Sequence, residues 1–230
     1  FQPPSYGPVS ADYRLGVGDE VVINVWGGIE FQITRVVERD GTILLPRAGK
    51  VVCAGRTLAE VDRAVRERLA AAHQTIDVDG PDPGDQGDTY VEVSLGHLRP
   101  IRVFVVGAVK RPGSYELSSA SRMLTALYAA GGPTLSGSLR EIRLLRGDQR
   151  VATLDLYAYL LGEGLRGDAP LQEGDTVFIP DIGPSVRVAG QVRRPLYYEM
   201  RPGETLTDLL LYAGGFTSQA APDVIHIERI

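Results

Sequence analysis

The chain has 230 residues, 43% hydrophobic and 23% charged, the proportions of an ordinary globular protein with room for two or three small cores. Net charge is −5 from 24 basic and 29 acidic residues, with lysine only at Lys50 and Lys110 and the arginines scattered. This excludes the cationic stripe that a phosphate backbone requires, so no nucleic-acid partner is expected, and no apolar run is long enough to span a bilayer as a helix.

Residues 1–11 are rich in Pro and Ser and read as an extended N-terminal arm. The first residue is Phe1, not Met, so a processed or trimmed start is expected, with any signal peptide or anchor cysteine upstream. Residues 20–26 alternate Val21, Ile23 and Val25 with Glu20, Val22 and Asn24, the period of a strand with one apolar face. Residues 35–38 and 42–45 flank Asp40-Gly41, a hairpin signal. Thr57 and Glu60 form a capping box, and Leu58, Val61, Val65 and Leu69 follow at helical spacing, predicting a helix from Thr57 to Ala72. Residues 77–88 read as a solvated acidic loop, since Gly80 and Pro81 break the order a calcium loop needs. Val91, Val93 and Leu95 then close the first domain as a strand.

The rest of the chain says one thing twice. Residues 103–116 return as residues 186–199 at a constant offset of 83 (190 − 107), which still holds at Gly131-Gly132 and Gly214-Gly215. An ungapped match of this length marks a duplicated structural unit. Each copy predicts a strand, a Pro-containing turn, a short strand, a helix, a Gly-Gly stop and a strand. In the first copy these fall at residues 101–106, 114–117, 121–130 and 141–145, and in the second at 186–189, 197–200, 205–213 and 224–228. Thr205 with Asp208 offers an N-cap, and Gly131 or Gly214 the left-handed residue that ends a helix. The first copy continues with a strand at 151–154, a short helix at 155–161 and a last segment at 175–180. A quieter echo pairs Leu15-x-x-Gly18-Asp19-x-Val21-x-Ile23 with Leu171-x-x-Gly174-Asp175-x-Val177-x-Ile179, a tight turn feeding a strand.

Catalytic motifs are missing. His73, His97 and His226 stand apart from any zinc spacing, and no nucleophile elbow, Walker loop or dinucleotide fingerprint occurs, so no catalytic, cofactor or metal residues are assigned. Cys53, alone, reads as a packed thiol. The duplicated polar features are Arg111 with Tyr115 and Arg194 with Tyr198. The favoured reading is structural: the prolines fix turns, the tyrosines pack on the next element and the arginines are solvated. The functional alternative is that these four residues contact glycan or a neighbouring subunit.

Residues 13–21 (Tyr-Arg-Leu-Gly-Val-Gly-Asp-Glu-Val), with Trp26, Asp40-Gly41, Pro46, Gly49 and the Thr57 helix, resemble a polysaccharide export domain. Residues 105–116 with Ala130-Gly131-Gly132, and 188–199 with Ala213-Gly214-Gly215, resemble SLBB (soluble-ligand-binding β-grasp) domains. In this order they resemble the outer-membrane polysaccharide export (OPX, Wza-like) proteins of Gram-negative bacteria. The implied fold class is α+β: an arm at 1–11, an export domain at 12–98, a first β-grasp-like SLBB domain at 99–183, and a second, partial one at 184–230.

The resemblance implies a non-enzymatic subunit of the periplasm and outer membrane. In such a system, identical chains close a ring, commonly an octamer, that passes capsular or extracellular polysaccharide to the surface. Its implied partners are the polysaccharide, an inner-membrane co-polymerase that often carries a tyrosine kinase, and the outer membrane, reached through segments outside this chain or through a separate β-barrel. The second SLBB unit stops at Ile230, before any match to residues 171–180, so a further segment is expected, or completion of its sheet by the arm or another chain. The alternatives are a periplasmic glycan-binding SLBB module that forms no pore, an adaptor to a separate barrel, or a polysaccharide hydrolase or lyase with two carboxylates across a cleft.

Overall fold

The computed structural model of the chain describes residues 9–73, 76, 89–162, 164, 166–221 and 225–228. Most of the arm, the acidic loop at 77–88, and Val224, the start of the last expected strand, lie outside these residues. The described residues fall into two compact units. One holds the residues up to Ile101 together with Ser118–Ala120; the other holds Arg102–Leu117 and the residues from Ser121 onward.

In the first unit, β1 (Glu20–Trp26) is the middle of a three-stranded antiparallel sheet, flanked by β2 (Phe31–Val36) and, from much later in the chain, β5 (Tyr90–Leu95). Val21, Ile23 and Val25 point into the core, as their alternation predicts. β3 (Thr42–Leu45) and β4 (Gly49–Val52) form a separate hairpin, with Arg47 at φ 63° in its turn. The expected pairing across Asp40-Gly41 is therefore corrected. That dipeptide does close a tight turn, with Glu38 N–H donating to the Thr42 carbonyl at 2.9 Å, but the ladder of β3 runs to β4. The preceding strand is already paired with β1 in a different sheet.

Helix α1 (Leu58–Ala72) begins at Thr57 with both arms of the capping box in place, and buries Val61, Val65 and Leu69 in the core shared by both sheets. Cys53 lies in that core; its thiol donates to the Val51 carbonyl at 3.7 Å, and burial pushes its pKa up to about 11.

In the second unit, β6 (Pro100–Gly107), β7 (Gly113–Ser118), α2 (Met123–Ala129), β8 (Ile142–Arg146), β9 (Gln149–Leu154), α3 (Leu156–Leu160) and β10 (Thr176–Ile179) follow in chain order. The five strands make one mixed sheet ordered β7-β6-β10-β8-β9, with β10 parallel to β6 and antiparallel to β8. A parallel central pair with a helix between its strands in sequence is the β-grasp pattern the SLBB resemblance implied. Helix α2 has no cap from its own N-cap residue, Arg122; Asp168, from a distant loop, accepts from Leu124 N–H at 3.0 Å instead.

The second copy continues with β11 (Ser185–Arg187), β12 (Tyr197–Glu199) and α4 (Leu206–Tyr212), which opens on the expected Thr205–Asp208 capping box. β11 and β12 pair with each other, and residues 225–228 hold no strand. Among the described residues, four helices and several sheets make a mixed α and β protein.

The quieter echo is a real device. Asp19 and Asp175, 156 residues apart (175 − 19), are both fully buried. Each carboxylate accepts the backbone N–H three residues earlier at 2.8 Å, from Gly16 and from Gln172. Each also holds an arginine, Arg99 on Asp19 and Arg146 in a two-pronged pair on Asp175. A carboxylate can be buried here because the turn N–H and the guanidinium neutralise it.

Candidate functional site: the seam between the two repeat copies

The tyrosine and backbone bonds of the repeat are reproduced at its turns, while the Arg111 guanidinium alone also donates to a helix-end carbonyl, that of Ala129 at 2.7 Å. Tyr115 Oη donates to the Arg111 carbonyl at 2.6 Å, and Tyr198 Oη donates to the Arg194 carbonyl at 2.6 Å. Arg111 N–H donates to the Ala130 carbonyl and Arg194 N–H to the Ala213 carbonyl, tying each loop to the end of its helix. Gly131 and Gly214 take the left-handed conformation at φ 82° and 78°. The Arg111 and Arg194 side chains are exposed, the ring of Tyr115 is half-buried, and Tyr198 is only 7% exposed.

That last difference locates the site. Tyr198 is covered by Tyr157, which follows the first copy, in an edge-to-face contact with centroids 6.4 Å apart. Tyr157 meets Tyr212 of α4 in the same manner at 5.1 Å. With Val192, Leu209 and Ala213 these rings form a small core that joins the first copy to the second. Such ring pairs add roughly 1 kcal/mol beyond the area they bury.

Over this core sits Arg140, with 5% of its side chain exposed. Its guanidinium lies 4.6 Å from the ring centre of Tyr157 and 5.1 Å from that of Tyr212. It donates to Glu204 at 2.6 Å, to Asp155 at 3.2 and 3.3 Å, and to the Glu199 carbonyl at 3.2 Å. Burial by itself would lower the pKa of Arg140, but the bonds to Glu204 and Asp155 outweigh it and raise the pKa. Burial likewise resists ionisation of Glu204, yet its bonds from Arg140, Arg201 N–H and Tyr212 pull its pKa down to about 2. Glu199, also buried, accepts from Ser138 Oγ, Leu139 N–H and Gly183 N–H, while its own N–H donates to Tyr157 Oη at 2.8 Å. The seam is thus a buried ionic network whose members are hydrogen-bonded on several sides, the condition under which buried charges are tolerated.

Beside the network opens a cleft of about 790 Å³. Its walls carry Arg150, Arg166 and Arg201, the carboxylates of Glu141, Asp155 and Asp208, and the side chains of Leu211 and Tyr212.

Of the four residues singled out in the sequence, the structure places each Arg–Tyr pair at one loop of one copy, and the two pairs occupy equivalent positions. The seam residues Arg140, Tyr157, Glu199 and Glu204 carry no local sequence signal, because their partners lie up to 64 residues away (204 − 140). Only Glu199 had a pointer, as the repeat equivalent of the exposed Glu116. Among the described residues no cluster of His, Cys, Asp and Glu could hold a metal, and no helix is long and apolar enough to cross a membrane.

Residues 7–79 match the family described as polysaccharide biosynthesis/export protein, and residues 102–155 and 185–230 match the SLBB domain. The chain therefore carries a polysaccharide biosynthesis/export domain followed by two SLBB stretches. It is 28% identical over 218 residues to the polysialic acid transport protein KpsD of Escherichia coli, covering 94% of this chain and 36% of that protein. It is 31% identical over 255 residues to the EPS I polysaccharide export outer membrane protein EpsA of Ralstonia nicotianae, covering 97% of this chain and 63% of that one. The EpsA of Ralstonia solanacearum is 30% identical over 246 residues, with coverages of 94% and 61%. The chain spans about a third of KpsD and about three-fifths of EpsA. These relatives are named for transport and export, not for catalysis.

Proposed function

We propose that the protein is a non-enzymatic subunit of a conduit that carries a capsular or extracellular polysaccharide across the periplasm and outer membrane of a Gram-negative bacterium. The observation that carries this reading is the domain order, an export domain followed by SLBB copies, shared with relatives named as polysaccharide export proteins. The part played by this stretch is geometric. The ionic seam fixes one SLBB copy against the next, so identical chains can close a ring with repeated surfaces in register. The exposed Arg111 and Arg194, with Tyr115, stand at equivalent loops and are the proposed contacts to glycan or to a neighbouring subunit; Tyr198 shapes the second loop from inside the seam. An inner-membrane co-polymerase supplies the polymer in this reading.

Deleting the gene tests the export role: surface polysaccharide falls while polymer accumulates inside the cell. Native mass spectrometry tests the ring, with a single closed oligomer expected. The cleft beside the seam favours one second reading, a glycan-binding module or adaptor that forms no pore. A protein that stays monomeric at high concentration while binding oligosaccharide would select it.

A further inference from the structure

We infer that the cleft between the two SLBB copies is a binding site for an anionic saccharide, with Arg150 and Arg166 as the groups that take the negative charge. This deepens the export reading and rests on it for the saccharide.

Most of the charges that line the cleft are already committed within the protein. Three carboxylates line the cleft, and each is engaged within the protein. Glu141 pairs with Arg201 at 3.3 Å, Asp155 holds both Arg140 and Arg201, and Asp208 caps helix α4 through Thr205. Arg140 is consumed by the seam. Arg150 and Arg166 are left, both exposed, both facing the cleft, and neither in an ion pair or hydrogen bond with another described residue. Two planar guanidinium groups that line one concavity, with no carboxylate partner among the described residues, can each donate paired hydrogen bonds to a carboxylate or phosphate.

The remaining wall suits a sugar better than a bare ion. Leu211, 56% exposed, and the half-buried ring of Tyr212 offer apolar surface for the C–H face of a pyranose. Thr153 and Asp208 offer groups that can bond ring hydroxyls. At about 790 Å³ the cleft is within the range of small-molecule sites, and the part of its wall that the Arg140 network forms is already ordered.

The test is titration calorimetry on the intact chain with four probes: trigalacturonic acid, an α2,8-linked sialic acid trimer, maltotriose and inorganic phosphate. At least one carboxylated trisaccharide is expected to bind, at least roughly tenfold more tightly than maltotriose, and to weaken as salt is raised. R150A/R166A should lose about tenfold or more in affinity with an unchanged melting temperature, and R150K/R166K should recover part of it. Equal binding by the double alanine variant, equal binding of maltotriose, or no binding of either carboxylated trimer would overturn the proposal. So would phosphate binding as tightly as the trimers, which would mean an anion site with no use for the sugar. If the trimers fail to bind while deletion of the gene still depletes surface polysaccharide, the cleft proposal alone is lost. Normal surface polysaccharide in the deletion strain removes the export reading, whatever the titration gives.

Discussion

Arg140 and Glu204 meet at 2.6 Å across the seam between the two SLBB copies, with 5% and 17% of their side chains exposed. Neither charge is stable there alone. R140A would leave Glu204 without its guanidinium partner and Asp155 with Arg201 alone, and is expected to cost about 3–5 kcal/mol. E204Q leaves Asp155 to hold the guanidinium and should cost less, roughly 1–3 kcal/mol. A double-mutant cycle in urea should return a coupling of about 1 kcal/mol or more between the two positions. Additive effects would show that the contact does not hold the seam.

The same pair sets an acid limit. The pKa of Glu204 falls from the usual 4.5 to about 2 on folding. A carboxylate depressed in the folded state contributes stability that is complete above its unfolded pKa and is lost as pH falls toward the folded one. The wild-type chain should therefore lose stability between about pH 4.5 and pH 2, and E204Q should flatten that part of the curve. Melting temperatures of both proteins across this window provide the check.

Gly107 and Gly190 are equivalent in the repeat, with φ of 92° and 89°, but their surroundings differ. A Cβ on Gly107 would run into the Ile179 carbonyl of β10, whereas one on Gly190 meets nothing within 4 Å. G190A should cost only the left-handed backbone penalty, about 1–2 kcal/mol. G107A adds displacement of a central strand and is expected to cost at least roughly 1 kcal/mol more. Chemical denaturation of the two variants would show whether β10 packs against Gly107 as described.

The paired tyrosines should also be unequal. Y198A removes a ring from the core of the seam and is expected to cost about 3–5 kcal/mol, the range for a buried aromatic. Y115A removes the same hydroxyl bond from a half-buried position and should stay near 1 kcal/mol. Equal losses would mean that the copies carry equal loads.

Much of this architecture was legible in the chain itself. The 83-residue offset exposed both copies because the loop demands the same residues twice: a left-handed glycine, a Pro turn, and a tyrosine to bond back. Helix α1 was readable to its first residue because Thr57 and Glu60 act locally. The hairpin at Asp40-Gly41 was misread because a turn signal reports where the chain reverses, not which strand it pairs with afterwards. The seam was hidden for a related reason. Periodicity records one element's buried face, while Arg140 is held by Asp155, Glu199 and Glu204 from three other elements. The Asp19 and Asp175 turns lie between these cases. Their Gly-Asp pattern was visible, but the arginine that each carboxylate holds was not.

Fractionation of the polymer tests the proposed export role most directly. In a strain lacking the gene, labelled polysaccharide should shift from the cell surface to the periplasm while total synthesis continues at first. The wild-type gene should restore surface polymer, and the R140A variant, if still folded, should restore much less. An undiminished surface fraction in the deletion strain would contradict the account.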